Sequence, residues 1–199
     1  HDILGTYQLV SSQEEMTKVY KSFEDFTQLL KKRHAVIMVG RKDKMPGEFK
    51  DKMNRAGSTV FVAPELVEGT LLKGFELLRS IEAPFHRAVF IMFVVAEVHP
   101  FLDGNGRLAR VMMNAELVTN DEFPIIIPTV YRNNYLSALR ALSQNKITEP
   151  LIRTLDFAQR YTAHIDWSDL KSARLQLTRT HAFTDPQTAE LEGIRLRIE

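Results

Sequence analysis

Cysteine is absent from the 199 residues, which excludes disulfide bonds and metal sites built from thiolates. Its absence is compatible with a reducing compartment, and we expect a cytoplasmic protein. A strong charge of one sign is lacking as well, because 26 basic and 25 acidic side chains leave a net charge of +1. This balance argues against a general surface for polyanions, so we expect no direct nucleic-acid binding by this domain.

We expect neither a signal peptide nor a membrane-spanning segment in these residues. The first ten residues, HDILGTYQLV, lack the basic stretch and the long apolar run of a signal peptide. The most apolar segment, residues 85–98, is too short to span a bilayer and contains Glu97, so no membrane partner is expected. The chain starts with histidine rather than methionine, and we therefore expect a fragment of a longer protein.

The composition that remains is that of an ordinary globular protein, with 44% hydrophobic and 26% charged residues. Apolar residues recur at helical spacing through most of the chain. This spacing predicts helices over residues 11–32, 65–80, 85–98, 106–118, 131–143, 147–164, 167–180 and 187–197. Residues 1–10 show no strong pattern, and the basic run KKRH at 31–34 is interpreted as favourable charge at a helix end.

One segment has the character of a β-strand. Residues 58–64, STVFVAP, are rich in β-branched side chains and end at a proline. This pattern is typical of one arm of a short hairpin, and no complete sheet follows it. The sequence therefore predicts a mainly α fold with one β-hairpin.

The chemically active residues are concentrated in HPFLDGNGRLAR, residues 99–110. Its glycines can adopt backbone angles that other residues avoid, so the successive amides of residues 104–106 can converge at a helix N-terminus and bind an anion. Arg107 and Arg110 are three apart and share a helix face, where each offers a planar pair of donors to phosphate. The segment therefore predicts a site for a polyphosphate.

Two further side chains of this segment suit phosphate chemistry. A carboxylate beside a polyphosphate needs a cation between them, so Asp103 predicts Mg²⁺ bridged to phosphate oxygens. His99 is the proton acceptor of the segment that can work near neutral pH. A calcium EF-hand loop is excluded because Arg107 and Leu108 stand where such a loop needs Asp or Asn and then Gly, and no Walker-type loop is present.

The twelve residues resemble the signature of the Fic family, H-P-F-x-[D/E]-G-N-G-R-x-x-R. Every fixed position is met, by His99, Pro100, Phe101, Asp103, Gly104, Asn105, Gly106, Arg107 and Arg110. The resemblance extends over roughly residues 47–163 by the order of the predicted elements. It implies a Fic-like helical bundle in which the hairpin is a flap.

The resemblance also implies an activity, because Fic proteins mostly transfer AMP from ATP to a hydroxyl of a target protein. His99 would take the proton from a Ser, Thr or Tyr hydroxyl that attacks the α-phosphate. Asp103 would hold Mg²⁺. The phosphates would be bound by Gly104, Asn105 and Gly106 at the α-position and by Arg107 and Arg110 at the distal positions. ATP and Mg²⁺ are thus the expected substrate and cofactor.

Two other elements acquire roles from the same resemblance. The flap would dock the target protein on the 58–63 hairpin by pairing with its backbone, through Ser58, Thr59, Val60, Phe61 and Val62. A plain surface hairpin is the alternative. Tyr135 lies near the start of a helix that the family places beside the adenine, and a place in the hydrophobic core is equally open to it.

The C-terminal segment TAELEGIRLRIE resembles the family's inhibitory pattern, [S/T]-x-x-x-E-[G/N], at Thr188, Glu192 and Gly193. The resemblance implies that Glu192 pairs with Arg110 and keeps the γ-phosphate from seating. An exposed glutamate on an end helix is the alternative. The predicted helix 187–197 would dock through an apolar stripe of Leu191, Ile194 and Ile198.

We expect a single domain over residues 1–199, with a core of about 35–165 and a C-terminal extension of about 166–199. Two other functions stay open at this point. One is a Fic enzyme that removes AMP or transfers another phosphate-linked group, and the other is a nucleotide-binding interaction module without turnover. A target protein is the expected partner, and a homo-oligomer is compatible with the sequence.

Overall fold

The computed structural model describes residues 2–57 and 59–198. These residues form two compact units, divided between Glu122 and Phe123. The division falls well before the predicted start of the C-terminal extension at about residue 166, and the single domain stays a prediction. None of the helices in the described ranges combines the length and the apolar character that a bilayer crossing needs.

The first unit is built from helices and one small hairpin. Its helices are α1 (Asp2–Val10), α2 (Gln13–Met16), α3 (Phe23–Ile37), α4 (Val67–Leu78), α5 (Pro84–Val98) and α6 (Asn105–Thr119). Strands β1 (Arg55–Ala56) and β2 (Thr59–Val60) pair antiparallel, with Arg55 opposite Val60 and Ala56 opposite Thr59. The mainly α fold and its hairpin are confirmed, although each strand is only two residues long.

Helix α5 forms the centre of this unit, as its apolar sequence predicts. It packs against α4 and α6, while α3 packs against α6 and α1. The side chains of α5 that are almost fully removed from solvent are Ala88, Val89, Ile91, Met92, Val94, Val95 and Val98. A helix buried on most of its circumference has little freedom to shift, so the residue that follows it is held in a fixed position.

The N-terminal region differs from its prediction. Residues 2–10 form a helix although their sequence shows no clear pattern, because Gly5 lets α1 approach α3 closely. A Cβ atom on Gly5 would lie 2.0 Å from the carbonyl oxygen of Val36. Such contact is set by the tertiary structure and leaves no periodic signal in the sequence.

The single helix predicted over 11–32 is also wrong, since the structure divides it into α2 and α3. Ser12 caps α2 and accepts a hydrogen bond from the Glu15 amide at 3.3 Å. The chain leaves the helix after Met16 and begins a new one behind Ser22, which forms a capping box with Asp25. Val19 lies in the break between the two helices and is 70% exposed, so it does not belong to the core.

The second unit contains α7 (Arg132–Asn145), α8 (Glu149–His164), α9 (Leu170–Arg179) and α10 (Pro186–Glu192). The predicted helix over 187–197 is too long, because Gly193 adopts left-handed backbone angles (φ 66°) and ends α10. Leu191 is 89% exposed and therefore is not part of a docked stripe. Ile194 and Ile198 do pack on the core of this unit, but from the irregular segment after the helix.

Candidate active site

His99 stands at the point where α5 ends. It is the C-terminal cap of the helix, with left-handed backbone angles (φ 52°, ψ 57°), and its N–H donates to the Val95 carbonyl at 3.1 Å. Histidine is one of the few residues besides glycine that are enriched in this conformation. The turn stops the buried helix and projects the imidazole from its end.

The imidazole is held in one protonation state. Its Nδ1 lies 3.1 Å from the Ala96 carbonyl oxygen, which can only accept, so Nδ1 carries a hydrogen and, in the neutral ring, Nε2 has the lone pair. Burial lowers the pKa of His99, and the Lys50 ammonium lowers it further, against opposing effects of the Ala96 hydrogen bond and of Asp103. The ring is therefore neutral near pH 7, with Nε2 available as a proton acceptor.

The flap reaches this histidine through Phe61. The Phe61 ring stacks on the His99 ring with 3.7 Å between centroids and 10° between planes. Its backbone N–H donates to the Asn54 carbonyl at 3.2 Å, which extends the hairpin by one pair. Thr59 and Val60 form β2, and Val62 follows without regular structure. Ser58 lies outside the described residues. The contact with His99 makes this hairpin part of the site.

The motif loop is closed by the side chain of Asn105. Its Oδ1 accepts from the Phe101 N–H at 2.9 Å, and its Nδ2 donates to the Phe101 carbonyl at 2.8 Å. The residue is 1% exposed. The amide side chain is thereby committed to the loop, so a contribution of Asn105 to a phosphate would come from its backbone N–H.

Helix α3 supports the loop through His34, which is fully buried. Its Nδ1 accepts from the Gly47 N–H at 2.9 Å, so Nε2 carries the hydrogen and donates to the Asp103 carbonyl at 3.0 Å. The ring also stacks on Phe101 at 3.7 Å between centroids. Burial lowers the pKa of His34 to about 4, so this link between α3 and the loop is a neutral imidazole.

The interpretation of residues 31–34 as charge at a helix end is wrong for its last two residues. Arg33 and His34 are both fully buried rather than arranged around the end of the helix. Their spacing from Leu30 and Ile37 is the signal that could have shown this, because all four belong to the buried face of α3.

Lys50 and Asn54 brace the other side of the loop, and sequence reasoning missed both. Lys50 is 3% exposed, and its Nζ donates to the Asn54 Oδ1 at 2.8 Å and to the Val98 carbonyl at 3.4 Å. Asn54 in turn donates to the Phe101 carbonyl at 2.8 Å. Both residues lie between α3 and the hairpin in irregular structure, where no periodicity marks a buried polar residue.

The N-terminus of α6 has the features of an anion site. Gly104 caps the helix with left-handed angles (φ 76°) and provides no side-chain acceptor for the first amides. The guanidinium of Arg110 lies over Gly106, since a Cβ built there would be 3.6 Å from its Nη1. Arg107 follows on the same turn, and its Nη2 donates to the Met38 Sδ at 3.3 Å. Two cations and the positive end of α6 therefore lie together.

Asp103 stands at the edge of this anion site. One carboxylate oxygen accepts from the Gly104 N–H at 2.6 Å, and the other lies 3.9 Å from Arg41, which also pairs with Asp43 at 3.1 Å. The described residues contain no cluster of three or more side chains able to enclose a metal ion. One carboxylate fits Mg²⁺ that takes its other ligands from phosphate and water, as Mg²⁺ does at nucleotide sites.

The remaining predicted residues belong to the second unit. Tyr135 is in α7 and is 4% exposed, which agrees with a core position, while its place beside an adenine stays a prediction. Thr188 and Glu192 are exposed on α10, and Gly193 ends that helix. The pairing of Glu192 with Arg110 joins residues of different units and likewise stays a prediction.

Comparison with known proteins agrees with this geometry. The family model described as Fic/DOC family matches residues 24–117. The match begins earlier than the resemblance read from the motif and takes in α3, the helix that carries His34. Over 100 residues the chain is 30% identical to a Fido domain-containing protein of Dictyostelium discoideum, covering 47% of this chain and 69% of that protein.

Longer relatives match over part of their length. The chain is 30% identical over 113 residues to the protein adenylyltransferase Fic of Drosophila yakuba, covering 55% of this chain but only 23% of that protein. Among solved structures, Fic-1 (residues 134–508) of C. elegans aligns with a TM-score of 0.64 at 19% identity, covering 89% of this chain and 52% of that one. A Fic domain-containing signaling protein of Bacteroides thetaiotaomicron aligns with a TM-score of 0.64 at 16% identity, covering 92% and 71%.

The structural matches show a shared fold, and the sequence matches carry the relationship further. The motif loop, its neutral histidine and the arginines of α6 supply the groups that a Fic-type transferase uses. The family model, the Dictyostelium relative and the complete signature lead to one conclusion: the chain belongs to the Fic/DOC family.

Proposed function

We propose that this protein transfers AMP from ATP to a Ser, Thr or Tyr hydroxyl of a target protein. The observation that carries the proposal is the state of His99, a neutral imidazole whose Nδ1–H is fixed on the Ala96 carbonyl so that Nε2 is the proton acceptor. That acceptor precedes, by a short rigid loop, the uncapped N-terminus of a helix that carries two arginines. The Drosophila relatives named protein adenylyltransferases support the choice of AMP.

The reaction is a displacement at phosphorus. The target hydroxyl oxygen forms a bond to the α-phosphorus while its proton passes to Nε2 of His99. The bond between the α-phosphorus and the oxygen bridging to the β-phosphate breaks, and pyrophosphate leaves with that electron pair. Because the chain supplies one base and several fixed positive groups, its contribution is positioning and charge stabilisation.

The phosphate groups have matching donors in the motif. The backbone N–H groups of Asn105 and Gly106 at the start of α6 suit the α-phosphate, and Arg107 and Arg110 suit the β- and γ-phosphates. Mg²⁺, when bound at Asp103, would neutralise charge on the phosphate oxygens. Its approach would compete with the pair that Asp103 forms with Arg41.

Regulation by Glu192 is part of the proposal. A carboxylate paired with Arg110 would occupy the guanidinium that the γ-phosphate needs, so ATP would bind in an unproductive position. The exposure of Glu192 at the end of α10 is compatible with such a partner. Removal of this carboxylate should therefore raise the rate of AMP transfer.

The first test uses ATP labelled at the α-phosphate with the full chain, Mg²⁺ and a lysate as the source of targets. Label on protein is expected from wild type and absent from His99→Ala. His99→Asn is the matched variant, because asparagine also tolerates left-handed backbone angles and so removes the base with less change to the turn. Label that persists in both variants contradicts the role of His99.

The second test compares the wild type with Glu192→Gly and Glu192→Gln. Both changes remove the carboxylate, and we expect at least a tenfold rise in label from a lost interaction of about 1.4 kcal/mol or more. An unchanged level of label would exclude this inhibition by Glu192, which we call the brake, without contradicting AMP transfer.

The same assay distinguishes AMP transfer from the alternative functions. Label from the γ-position but not from the α-position would indicate phosphoryl transfer, and loss of AMP from a target modified beforehand would indicate removal. Nucleotide binding without any transfer in Glu192→Gly would indicate an interaction module.

A further inference from the structure

Lys50 is a buried cation whose charge is not explained by its bracing of the motif loop. Its side chain is 97% removed from solvent, as its 3% exposure shows, and among the described residues it forms no ion pair. A lone buried ammonium is costly, because the charge loses its hydration without a counter-charge. A position of this kind is retained only where the surroundings supply other partners.

The partners of Lys50 belong to the elements that hold His99. Its Nζ donates to the carbonyl of Val98, which is the last residue of α5 and directly precedes His99. It also donates to Asn54, whose side chain reaches the Phe101 carbonyl on the other side of His99. The backbone N–H of Lys50 donates to the Pro100 carbonyl at 2.9 Å. One residue thus binds the chain on both sides of the histidine.

The charge of Lys50 is placed where it acts on the imidazole. It lies at the negative end of the α5 dipole, which stabilises a cation, and its proximity disfavours a second positive charge on His99. Among the residues that the structure describes, the other charged group that acts on His99 is Asp103 of the motif loop, and its effect on the pKa of His99 has the opposite sign. Within the described part of the chain no acidic residue acts on Lys50 itself, and burial lowers its own pKa to about 8.

We propose that Lys50 is a positioning residue for His99: it fixes the backbone on both sides of the histidine, and its charge keeps the imidazole in the neutral, proton-accepting form. The inference rests on the proposed role of His99 as the base. It adds that a lysine outside the signature sets the pH range in which that base is available.

The test follows the protonation of His99 by NMR, through the ring Cε1–H signal, without nucleotide. We compare the wild type with Lys50→Met, which keeps the length and removes the charge, and with Lys50→Arg, which keeps the charge. The spectrum of His99→Asn assigns the signal among the 6 histidines of the sequence. In Lys50→Met the titration midpoint of His99 should rise by about 0.5 pH unit or more, while Lys50→Arg should stay close to wild type.

An unchanged midpoint in a folded Lys50→Met protein would overturn the proposal. If that variant does not fold, the titration of the wild type is the test. The His99 signal should show a second inflection near pH 8, where Lys50 loses its proton. A titration curve without this inflection would also overturn the proposal. Because these measurements need no ATP, their failure is distinct from a failure of AMP transfer.

A kinetic measurement extends the same comparison. In the Glu192→Gly background, the acidic limb of the pH–rate profile should move to higher pH in Lys50→Met and be restored in Lys50→Arg. A purely structural role of Lys50 would lower the rate at every pH and leave the limb where it is.

Discussion

Gly104 is constrained twice, by its backbone and by its neighbours. Its φ of 76° belongs to the left-handed region, and a Cβ atom there would lie 2.7 Å from the Met38 Sδ and 3.5 Å from the His34 Nε2. The position therefore requires glycine because the cap of α6 is pressed against α3. The fixed glycine of the motif has a structural reason that is independent of phosphate binding.

Replacing this glycine gives a prediction at the residue scale. Gly104→Ala should lower the free energy of unfolding by about 2–4 kcal/mol, through left-handed strain and overlap with Met38. Gly69→Ala is the control, since Gly69 lies in α4 and a built Cβ has no described atom from outside its own stretch of helix within 4 Å. This change should stabilise the helix by about 0.5–1 kcal/mol. Urea unfolding of both variants measures the difference. Equal effects would show that Gly104 is not strained.

His34 predicts a dependence of stability on pH. Its pKa is about 4 in the folded protein and near 6.5 when unfolded, so the unfolded state binds more protons between these values. Stability should therefore fall by about 1–3 kcal/mol as the pH is lowered from 7 to 4, as protonation abolishes the acceptor for the Gly47 amide.

The contribution of His34 can be isolated by difference. We compare the free energies of unfolding of the wild type and His34→Gln in urea at pH 7 and pH 5. The difference between the two proteins should be smaller at pH 5. His86→Gln, which replaces an exposed histidine of α5, is the control for the loss of a histidine side chain as such. If the difference in free energy of unfolding between the wild type and His34→Gln is the same at both pH values, His34 is not buried as a neutral imidazole.

At the scale of elements, the register of the hairpin determines which edge is free. Ala56 and Thr59 flank the turn, and the Phe61 N–H donates to Asn54 two residues further on. Hydrogen-bonded and non-hydrogen-bonded pairs alternate in an antiparallel ladder, so Arg55 and Val60 form a non-hydrogen-bonded pair. The N–H and C=O of Val60 therefore point away from β1, as a docking strand requires.

This geometry predicts how the flap can be disabled without removing it. Val60→Pro deletes the outward N–H and leaves the bonds to β1 intact, so label on a target should fall at least fivefold. Val60→Ala retains the N–H and should label nearly as well. Nucleotide binding, followed by fluorescence of an ATP analogue, should be equal in both. Equal labelling by the two variants would argue against docking by strand addition.

The end of α10 has a left-handed residue directly after Glu192. Gly193 has a φ of 66°, which glycine adopts freely, asparagine tolerates and β-branched residues avoid. Gly193 thus ends the helix directly behind Glu192.

We expect the brake to depend on this stop. Gly193→Asn should keep the low label of wild type, while Gly193→Val should displace the end of α10 and raise the label toward that of Glu192→Gly. The assay is the same transfer of α-labelled AMP, with circular dichroism as the check on helix content. Low label in a folded Gly193→Val protein would show that inhibition by Glu192 does not depend on the end of α10.

At the scale of the whole molecule, the predictable part of the site is the part that lies in one continuous segment. The motif residues and their helix could be read from sequence because turn, helix start and arginine spacing are local properties. His34, Lys50 and Asn54 could not, since each is a buried polar residue whose partner is distant in the chain. The fold followed a similar rule: the apolar α5 was predicted closely, whereas α1 depends on the contact of Gly5 with α3.

The side chain of Asn105, locked on the backbone of Phe101, has a consequence for how the protein ages. Asparagine followed by glycine, as at Asn105 and Gly106, is the dipeptide most prone to deamidation, because the next amide nitrogen can attack the side-chain carbonyl. In the folded state the two hydrogen bonds to the Phe101 backbone and the start of α6 hold the side chain away from that reaction. Each episode of unfolding releases it. An aspartate formed there would face the Phe101 carbonyl with an acceptor instead of a donor, so the loop could not close again, and transient unfolding would be converted into permanent chemical damage.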